Sequence, residues 1–551
     1  MKPSGALIVA ALAVVIYLPT LANGYVFDDI PVVHNNPVVR ELRYVEAVAG
    51  PYWPALEGVR PGSSNWRPLA TLSFVIERAV LGVTHPIVHH LINAVLHGLV
   101  VLALYPLARR LVGGGWPALA ACALFAAHPA HTEAVAPVVG RTDLLAGLGA
   151  LLALECFLRY RDGGPHAQWA LWLGAGAFAL GLGGKESAAP VILLLPAADW
   201  LVRGESIRSL IGRPALAYLP YAAVLAIYLV ARFAVLGDAS FHHAAAVEYS
   251  MPQRLLFASR NAVVSAGLLL VPTRFHHMVT TLPDNADFTY ADPTGLAAAG
   301  FLLGGVIAAF GWLALVRPAP RGAFLWLGAL ATWLPTSGLL AAAAGTSMRF
   351  LFLPTAWAAC GAALVATRLV ARRPVLRSLV VAAVVMLVVL GAVISVRRGT
   401  QWRDNGTFYG AVVAGEPGCF TAHYSLGSWY TTRRPPDLRR ARDHFGHALH
   451  IAEGTAALFQ VHMALAVTYE FNDDGTWYGT GAQLPEAIAI YRRLIEEYPD
   501  RWEAYLNLGS ALEQLHNQRE AVLYYRRFLE LAPESPQAND VRDRMARIEG
   551  R

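Results

Sequence analysis

The chain has 551 residues, 56% hydrophobic and only 15% charged, with a mean hydropathy of +0.42. This balance excludes an ordinary soluble domain and points to a polytopic membrane protein. The net charge of +6 is then a mark of membrane-flanking loops, and no nucleic-acid partner is expected.

Lys2 and Lys185 are the only lysines, so Arg supplies nearly all positive charge. Together with heavy Ala and Gly usage, this fits the coding bias of a GC-rich bacterium. Of the four cysteines, Cys122, Cys156 and Cys360 lie in apolar segments and Cys419 stands apart. Their spacing suggests neither a disulfide framework nor a metal set, and small apolar packing residues are expected.

The first apolar segment is Ala6 to Ala22, with Lys2 ahead of it. Leu21-Ala-Asn-Gly24 is a poor cleavage site, so an uncleaved first helix is expected. Directly after it comes Tyr25-Val-Phe-Asp-Asp-Ile-Pro31. A carboxylate in the bilayer core costs roughly 2.5–3.5 kcal/mol or more, so Asp28 and Asp29 belong at the membrane–water boundary. Two readings fit them: the reactive end of a membrane-embedded transferase, or an ordinary solvated loop.

At about 20 residues per span, eleven apolar segments qualify: 6–22, 86–108, 115–131, 142–158, 168–184, 187–202, 214–236, 294–316, 322–341, 350–371 and 376–396. Lys2, Arg109-Arg110, Arg159, Arg161, Arg203, Arg317 and Arg372-Arg373 then share one side. The positive-inside bias makes that side cytoplasmic. The N-terminus is expected inside, with everything after Val396 outside. The stretch 255–271 is apolar but interrupted by Arg260, Asn261 and Ser265; read as an interfacial helix, it preserves this parity. The large outer loops are 23–85 and 237–293. The first contains the amphipathic segment Leu69 to Val83, read as a helix against the membrane. The second contains His242-His243, His276-His277, Asp284 and Asp287. Arg397-Arg398 and Arg403 fall outside, against the bias; lipid headgroups, a ligand phosphate and a local exception are the readings.

From residue 397 the composition becomes more charged, with helical periodicity. Tyr505-x2-Leu508-Gly509-x2-Leu512, Ala521-x3-Tyr525 and Pro533 form one unit. Leu465-Ala466-x2-Tyr469 pairs with Ala487-x3-Tyr491 and Pro499, and Leu426-Gly427-x2-Tyr430 with Ala441-x3-Phe445. The period of about 34 residues is that of tetratricopeptide repeats. The expected fold is therefore all-α: a membrane bundle over 1–396, followed by an α-solenoid over 397–551. Such arrays bind extended peptide more often than they catalyse.

Polar residues inside apolar helices are costly unless they serve a site. His90, Asn93 and His97 share one helix face at i, i+3 and i+7. They suit a polar cavity or interhelical hydrogen bonds. His128-Pro-Ala-His131-Thr-Glu133 closes the third segment; zinc, a phosphate contact and interfacial packing are its readings. Gly140-Arg141-Thr-Asp143 opens the fourth, Lys185-Glu186 sits between the fifth and sixth, and Arg349 opens the tenth. All these clusters reach the membrane face that carries Asp28 and Asp29. One polar cavity, open outward, is expected.

In order, the chain carries Phe27-Asp-Asp29, Trp66-Arg67-Pro-Leu69, His85-Pro86 through His97, His128-Pro-x-His-Thr-Glu-Ala134, Gly140-Arg-x-Asp143, Lys185-Glu186 and Arg349-Phe-Leu-Phe-Leu-Pro354. With its repeat tail, it closely resembles the transmembrane-and-TPR-containing (TMTC) protein O-mannosyltransferases of the GT-C glycosyltransferase class. The resemblance implies about eleven spans and a polyprenyl-phosphate mannose donor. It also implies a protein acceptor held by the repeats and a catalytic acidic pair at Asp28 and Asp29.

The residues suit that chemistry. An acceptor hydroxyl needs a carboxylate base, and a departing phosphate needs cations. Arg141, Lys185 and Arg349, with His128 and His131, are the candidate phosphate contacts. His90, Asn93, His97, Arg67, Glu133, Asp143 and Glu186 are expected to support the cavity. No cofactor beyond the lipid-linked donor is required, and a divalent metal is compatible with the residues without being called for by them. The expected setting is a bacterial inner membrane with the repeats in the periplasm. A repeat scaffold that recruits periplasmic partners without catalysis is the alternative. A transporter ranks last, because the membrane part shows no internal repeat.

Overall fold

The computed structural model describes residues 4–53, 65–82, 85–206, 208–237, 251–270, 304, 320–339, 347–455, 457–472 and 474–550. Every named element among them is helical, and the one β contact is an isolated bridge between Phe471 and Trp477. The fold is all-α, as the periodicity predicts.

Contacts divide the chain into two units, one running to Asp404 and the other from Asn405 to Arg551. The long helices of the first unit are α1 (Ser4–Tyr17), α2 (Pro68–Leu81), α3 (Pro86–Val112), α4 (Trp116–Ala126), α5 (Arg141–Asp162) and α6 (Ala167–Gly184). They continue with α7 (Val191–Leu201), α8 (Leu219–Leu236), α9 (Met251–Leu270), α10 (Pro320–Trp333), α11 (Phe352–Arg372) and α12 (Arg377–Gly399). Helices cover every predicted apolar segment except 294–316, which lies outside the described residues, as do His242, His243, His276, His277, Asp284 and Asp287.

Among the described residues, 5 helical stretches are long and apolar enough to cross a membrane: Ser4–Ala22, Pro86–Val112, Ala215–Leu236, Met348–Arg372 and Pro374–Trp402. A bent pair, Pro129–Val135 with Val138–Asp162, makes a sixth if taken as one span. The eleven expected apolar segments include others that are helical but shorter, broken or less apolar.

The bend, of 102°, is written in the sequence. Pro137 has no amide hydrogen to continue a helix. Gly140 follows where a Cβ would lie 2.3 Å from the Ala134 carbonyl oxygen. The carbonyls stranded at the break are collected by one side chain: Asn93 Nδ2 donates to Pro137 O at 2.8 Å and to Val138 O at 3.2 Å. His97 Nε2 lies 3.1 Å from the Ala126 carbonyl at the end of α4. The polar face of α3 thus satisfies backbone groups where neighbouring helices end, as buried carbonyls require.

The expected membrane-lying segment is α2. It buries Ala70, Thr71, Phe74 and Val75 against Val32, Val33, Val138 and Val139, beneath the acidic pair. The polar interruptions of the 255–271 stretch face the end of α10: Asn261 donates to Ser337 O at 2.9 Å, and Trp333 Nε1 to Ser265 Oγ at 3.0 Å.

The second unit begins with α13 (Asn405–Gly415). Three helical hairpins follow: α14 (Phe420–Thr432) with α15 (Leu438–Ile451), α16 (Ala457–Glu470) with α17 (Leu484–Glu497), and α18 (Trp502–Gln514) with α19 (Gln518–Leu531). Helix α20 (Ala538–Ile548) closes it. Gly427 and Gly509 sit where a Cβ would meet the rings of Phe445 and Tyr525 at 2.7 and 2.6 Å. The small and aromatic positions of the repeat therefore meet across the first and third hairpins, as the spacing predicts.

Candidate active site

The acidic pair lies on the turn that follows the first apolar segment. The turn is closed twice over: Asp29 N–H donates to Val26 O at 3.0 Å, and Val26 N–H to Asp29 Oδ2 at 3.4 Å. Phe27 takes φ +53°, a left-handed conformation rare for a bulky residue. Such strain costs about 1–3 kcal/mol and persists only where its surroundings impose it.

The two aspartates point to different environments. Asp29 is 1% exposed, and its Oδ1 accepts the Val139 N–H at 2.9 Å. Burial pushes its carboxyl up to about 7, against the pull of the Val139, Val138 and Val26 amides. Asp28 keeps some access, and its Oδ2 lies 3.6 Å from the Arg349 guanidinium.

Arg349 is placed by Glu133. A single Glu133 oxygen, Oε2, accepts the Ser347 hydroxyl at 2.6 Å and the Arg349 N–H at 3.0 Å. This fixes the short helical turn Met348–Leu351 ahead of α11. Beside Arg349 is a small cavity, lined also by Asp143, Lys185, Ser187, Thr332 and Thr336. Its volume of about 10 Å³ is room for one water. Lys185 Nζ donates to Asp143 Oδ1 at 2.7 Å, with both side chains buried. Burial pulls the Lys185 ammonium down, while Asp143 opposes the shift. Arg67 pairs with Glu186 at 3.0 Å and stacks 4.9 Å from the Tyr52 ring. Burial alone would raise the Glu186 carboxyl, but Arg67 and Lys185 hold it at about 2.

Asp28, Lys185 and Arg349 thus belong to one polar region, with Arg67, Asp143, Glu133 and Glu186 holding it. Arg141 does not reach it as a free cation. Its guanidinium is 1% exposed and fully occupied: it donates to Asn93 Oδ1 at 3.1 Å, to Ser73 Oγ at 3.0 Å and to both carboxylate oxygens of Glu77, beneath the Phe74 ring. His128 is also spent: Nδ1 accepts the Ala130 N–H at 3.2 Å and Nε2 meets Leu269 O at 3.1 Å. His131 is fully buried between Phe125 and Phe352, at ring separations of 4.3 and 4.8 Å. Arg141 and His128, expected as phosphate contacts, are thus held by protein partners, whereas His131 is packed among rings with neither ring nitrogen hydrogen-bonded. His90, Asn93 and His97 serve backbone carbonyls of Gly24, residues 135–138 and Ala126. Among the described residues, no group of three or more His, Cys, Asp or Glu side chains is placed to hold a metal ion. Of the outlying basic residues, Arg398 is buried, 3.3 Å from Met348 Sδ.

Glu77 and Tyr52 carry weight that the sequence reading did not give them. The signal for Glu77 was present: a lone acid in an otherwise apolar segment.

Known proteins resemble the chain over part of its length. The chain is 40% identical over 204 residues to the protein O-mannosyl-transferase Tmtc2 of Drosophila melanogaster, covering 36% of this chain and 21% of that protein. It is 34% identical over 173 residues to human TMTC2, 31% and 21% of the two chains. It is 30% identical over 222 residues to human TMTC4, 36% and 29% of the two chains. The chain is TMTC-like. The match spans about a fifth of the length of TMTC2. Residues 475–501 and 503–535 match the tetratricopeptide repeat family, over the second helix of the second hairpin and the whole of the third. No solved structure matches the chain.

Proposed function

We propose that this TMTC-like chain is a membrane glycosyltransferase. It moves a sugar, mannose by resemblance, from a polyprenyl phosphate to a hydroxyl of a protein acceptor on the extracytoplasmic side. The observation that carries the reading is Asp28 facing Arg349 beside the Lys185–Asp143 cavity.

Asp28 is the base, because it is the aspartate with access. It takes the proton of the acceptor hydroxyl, whose oxygen attacks the anomeric carbon opposite the phosphate. The carbon–oxygen bond to the phosphate breaks, and the electron pair leaves on that oxygen. One displacement inverts the anomeric centre. Arg349 and Lys185 meet the growing negative charge, which is the usual largest source of catalysis. A sugar phosphate exceeds a one-water cavity, so it enters only if Phe350 or the Lys185–Asp143 pair gives way. Asp29, buried and bound to three amides, sets the turn that aims Asp28.

The lipid tail needs apolar surface. A groove of about 560 Å³ runs between α10 and α11, lined by Leu325, Trp357 and Leu364 among others. The charges support the proposed sidedness: Arg109, Arg110, Arg159 and Arg161 gather at the helix ends away from Arg141, as the positive-inside bias favours for cytoplasmic ends. In this reading the repeat unit holds the acceptor, and the cell is bacterial. Membranes holding the full chain are given polyprenyl-phosphate mannose and acceptor peptide. Asp28→Asn is expected to lower transfer by about 10²–10⁴-fold; unchanged transfer would sink the mechanism. Donor-independent capture of a partner by the chain, with no transfer, would favour the scaffold.

A further inference from the structure

Two buried donors in this region lack a partner: Tyr52 Oη and Arg349 Nε. Lys185 and Arg67 beside them are each matched closely to an acid, whereas Arg349 reaches Asp28 only through Nη1, at 3.6 Å, and leaves Nε open. A buried polar hydrogen with no acceptor is unfavourable, and native folds leave few.

Tyr52 is held firmly. It is 2% exposed, its N–H donates to Asn65 O at 2.9 Å, and its ring packs in the cluster of Val32, Val33, Val138 and Val139. The Arg67 guanidinium covers the ring, and Trp53 meets it edge-on at 6.2 Å. The groups acting on the hydroxyl are Arg67, Asp28, Arg349 and Asp29. Burial raises the phenol well above its ordinary range, so it keeps its proton. Guanidinium groups are donors only and cannot accept that proton. The hydroxyl, near both guanidiniums and the acidic pair but bonded to none of them, is free to donate to an added acceptor.

We infer that Tyr52 is a further catalytic residue, whose hydroxyl donates a hydrogen bond to an oxyanion that also takes the open Nε of Arg349. Resting on the function proposed above, that oxyanion is the phosphate of the polyprenyl donor. The bond strengthens as the sugar departs and charge builds on the phosphate oxygens, so its contribution falls on the chemical step. Arg349 supplies charge; Tyr52 supplies a neutral, fixed donor.

The test uses Tyr52→Phe in the full chain, which keeps the ring and its packing. Binding of polyprenyl phosphate and of polyprenol is measured side by side, together with kcat and KM for transfer from polyprenyl-phosphate mannose. The variant is expected to lose about tenfold in affinity for polyprenyl phosphate and none for polyprenol. It is expected to lose about 10- to 100-fold in kcat. The phosphate-to-polyprenol ratio is independent of the folded fraction, so partial misfolding cannot mimic the result. Equal ratios and equal kcat in variant and wild type would overturn the inference alone. A wild-type chain that does not discriminate the two lipids would overturn the donor assignment, and this inference with it.

Discussion

The two ends of α5 carry opposite kinds of electrostatics. At its far end, Arg110 meets Glu155 at 2.9 Å and Asp162 at 2.5 Å, Arg159 meets Glu155 at 2.7 Å, and Arg203 meets Asp162 at 3.1 Å. Arg161 and Tyr218 both reach Asp199, at 2.8 and 2.7 Å. None of these side chains is left with a buried, unpartnered polar atom. At the near end, the Arg349–Asp28 pair is loose at 3.6 Å, and Tyr52 Oη and Arg349 Nε are open. One end is a finished network that staples helices together. The other holds groups that a ligand would complete. Charge alone does not mark a site; unsatisfied charge and unsatisfied donors do.

Arg141 tests where the boundary between the two kinds falls, because it sits at the site's end of α5 yet behaves like the stapled end. Arg141→Ala strips Glu77 and Asn93 of a buried partner, and removing one member of a buried pair costs about 3–5 kcal/mol. Thermal unfolding in detergent should show a marked loss of stability, with any transfer loss following the loss of folded chain. A stable variant with selectively weakened phosphate binding would return Arg141 to the donor site.

Glu133 comes next in expected size. It touches no proposed substrate atom, and acts by holding the Arg349 backbone and Ser347 on one oxygen. Glu133→Ala is expected to raise KM for the lipid donor about tenfold, the scale of one lost hydrogen bond to a charged group. Glu133→Gln, which can still present an oxygen to both donors, should recover most of it. Equal losses in both variants would mean that the charge of Glu133 matters, not its position.

Much of this was legible in the sequence. The helical segments, the repeats and the approach of Asp28, Lys185 and Arg349 to one region follow from hydropathy, spacing and side-of-membrane reasoning. Which cation keeps an open donor was not legible. Arg141, Lys185 and Arg349 look alike in a string of letters, and their difference lies in Glu77 and Asp143, the first of which sits 64 residues away from its partner. Likewise, the stripe of His90, Asn93 and His97 was visible, but its role depends on the break at Pro137. Where a proline or a turn cuts an apolar run, the helix is shorter than the run, as at 187–202, where it covers Val191–Leu201.

Asp29 offers a pH test of the comparison. Its folded carboxyl is raised to about 7 from an ordinary 3.8, so ionisation disfavours the fold. The native state is therefore relatively most stable below about pH 4, and loses that advantage as the pH rises to about 7. Asp29→Asn removes the ionisation while keeping an acceptor for the Val139 N–H. Its melting temperature relative to wild type should climb between pH 4 and 7 and then level off. A flat difference across that window would mean that Asp29 titrates like an exposed carboxylate and that the turn is open to water.

The smallest effect is expected at the stapled end, and it guards against counting every ion pair as important. Arg159 is 60% exposed and meets Glu155 at i, i+4. Glu155 is buried but also held by Arg110 through two hydrogen bonds, at 2.9 and 3.3 Å. Arg159→Ala therefore leaves Glu155 paired, and only an exposed helix pair is lost, worth about 0.3–0.5 kcal/mol. Arg110→Ala removes the partner that Glu155 and Asp162 share, and should cost several times more. If the two variants melt alike, the network is distributed over both arginines. If Arg159 proves the costlier, Arg110 is the spare partner, and exposure has misled the ranking of the pairs.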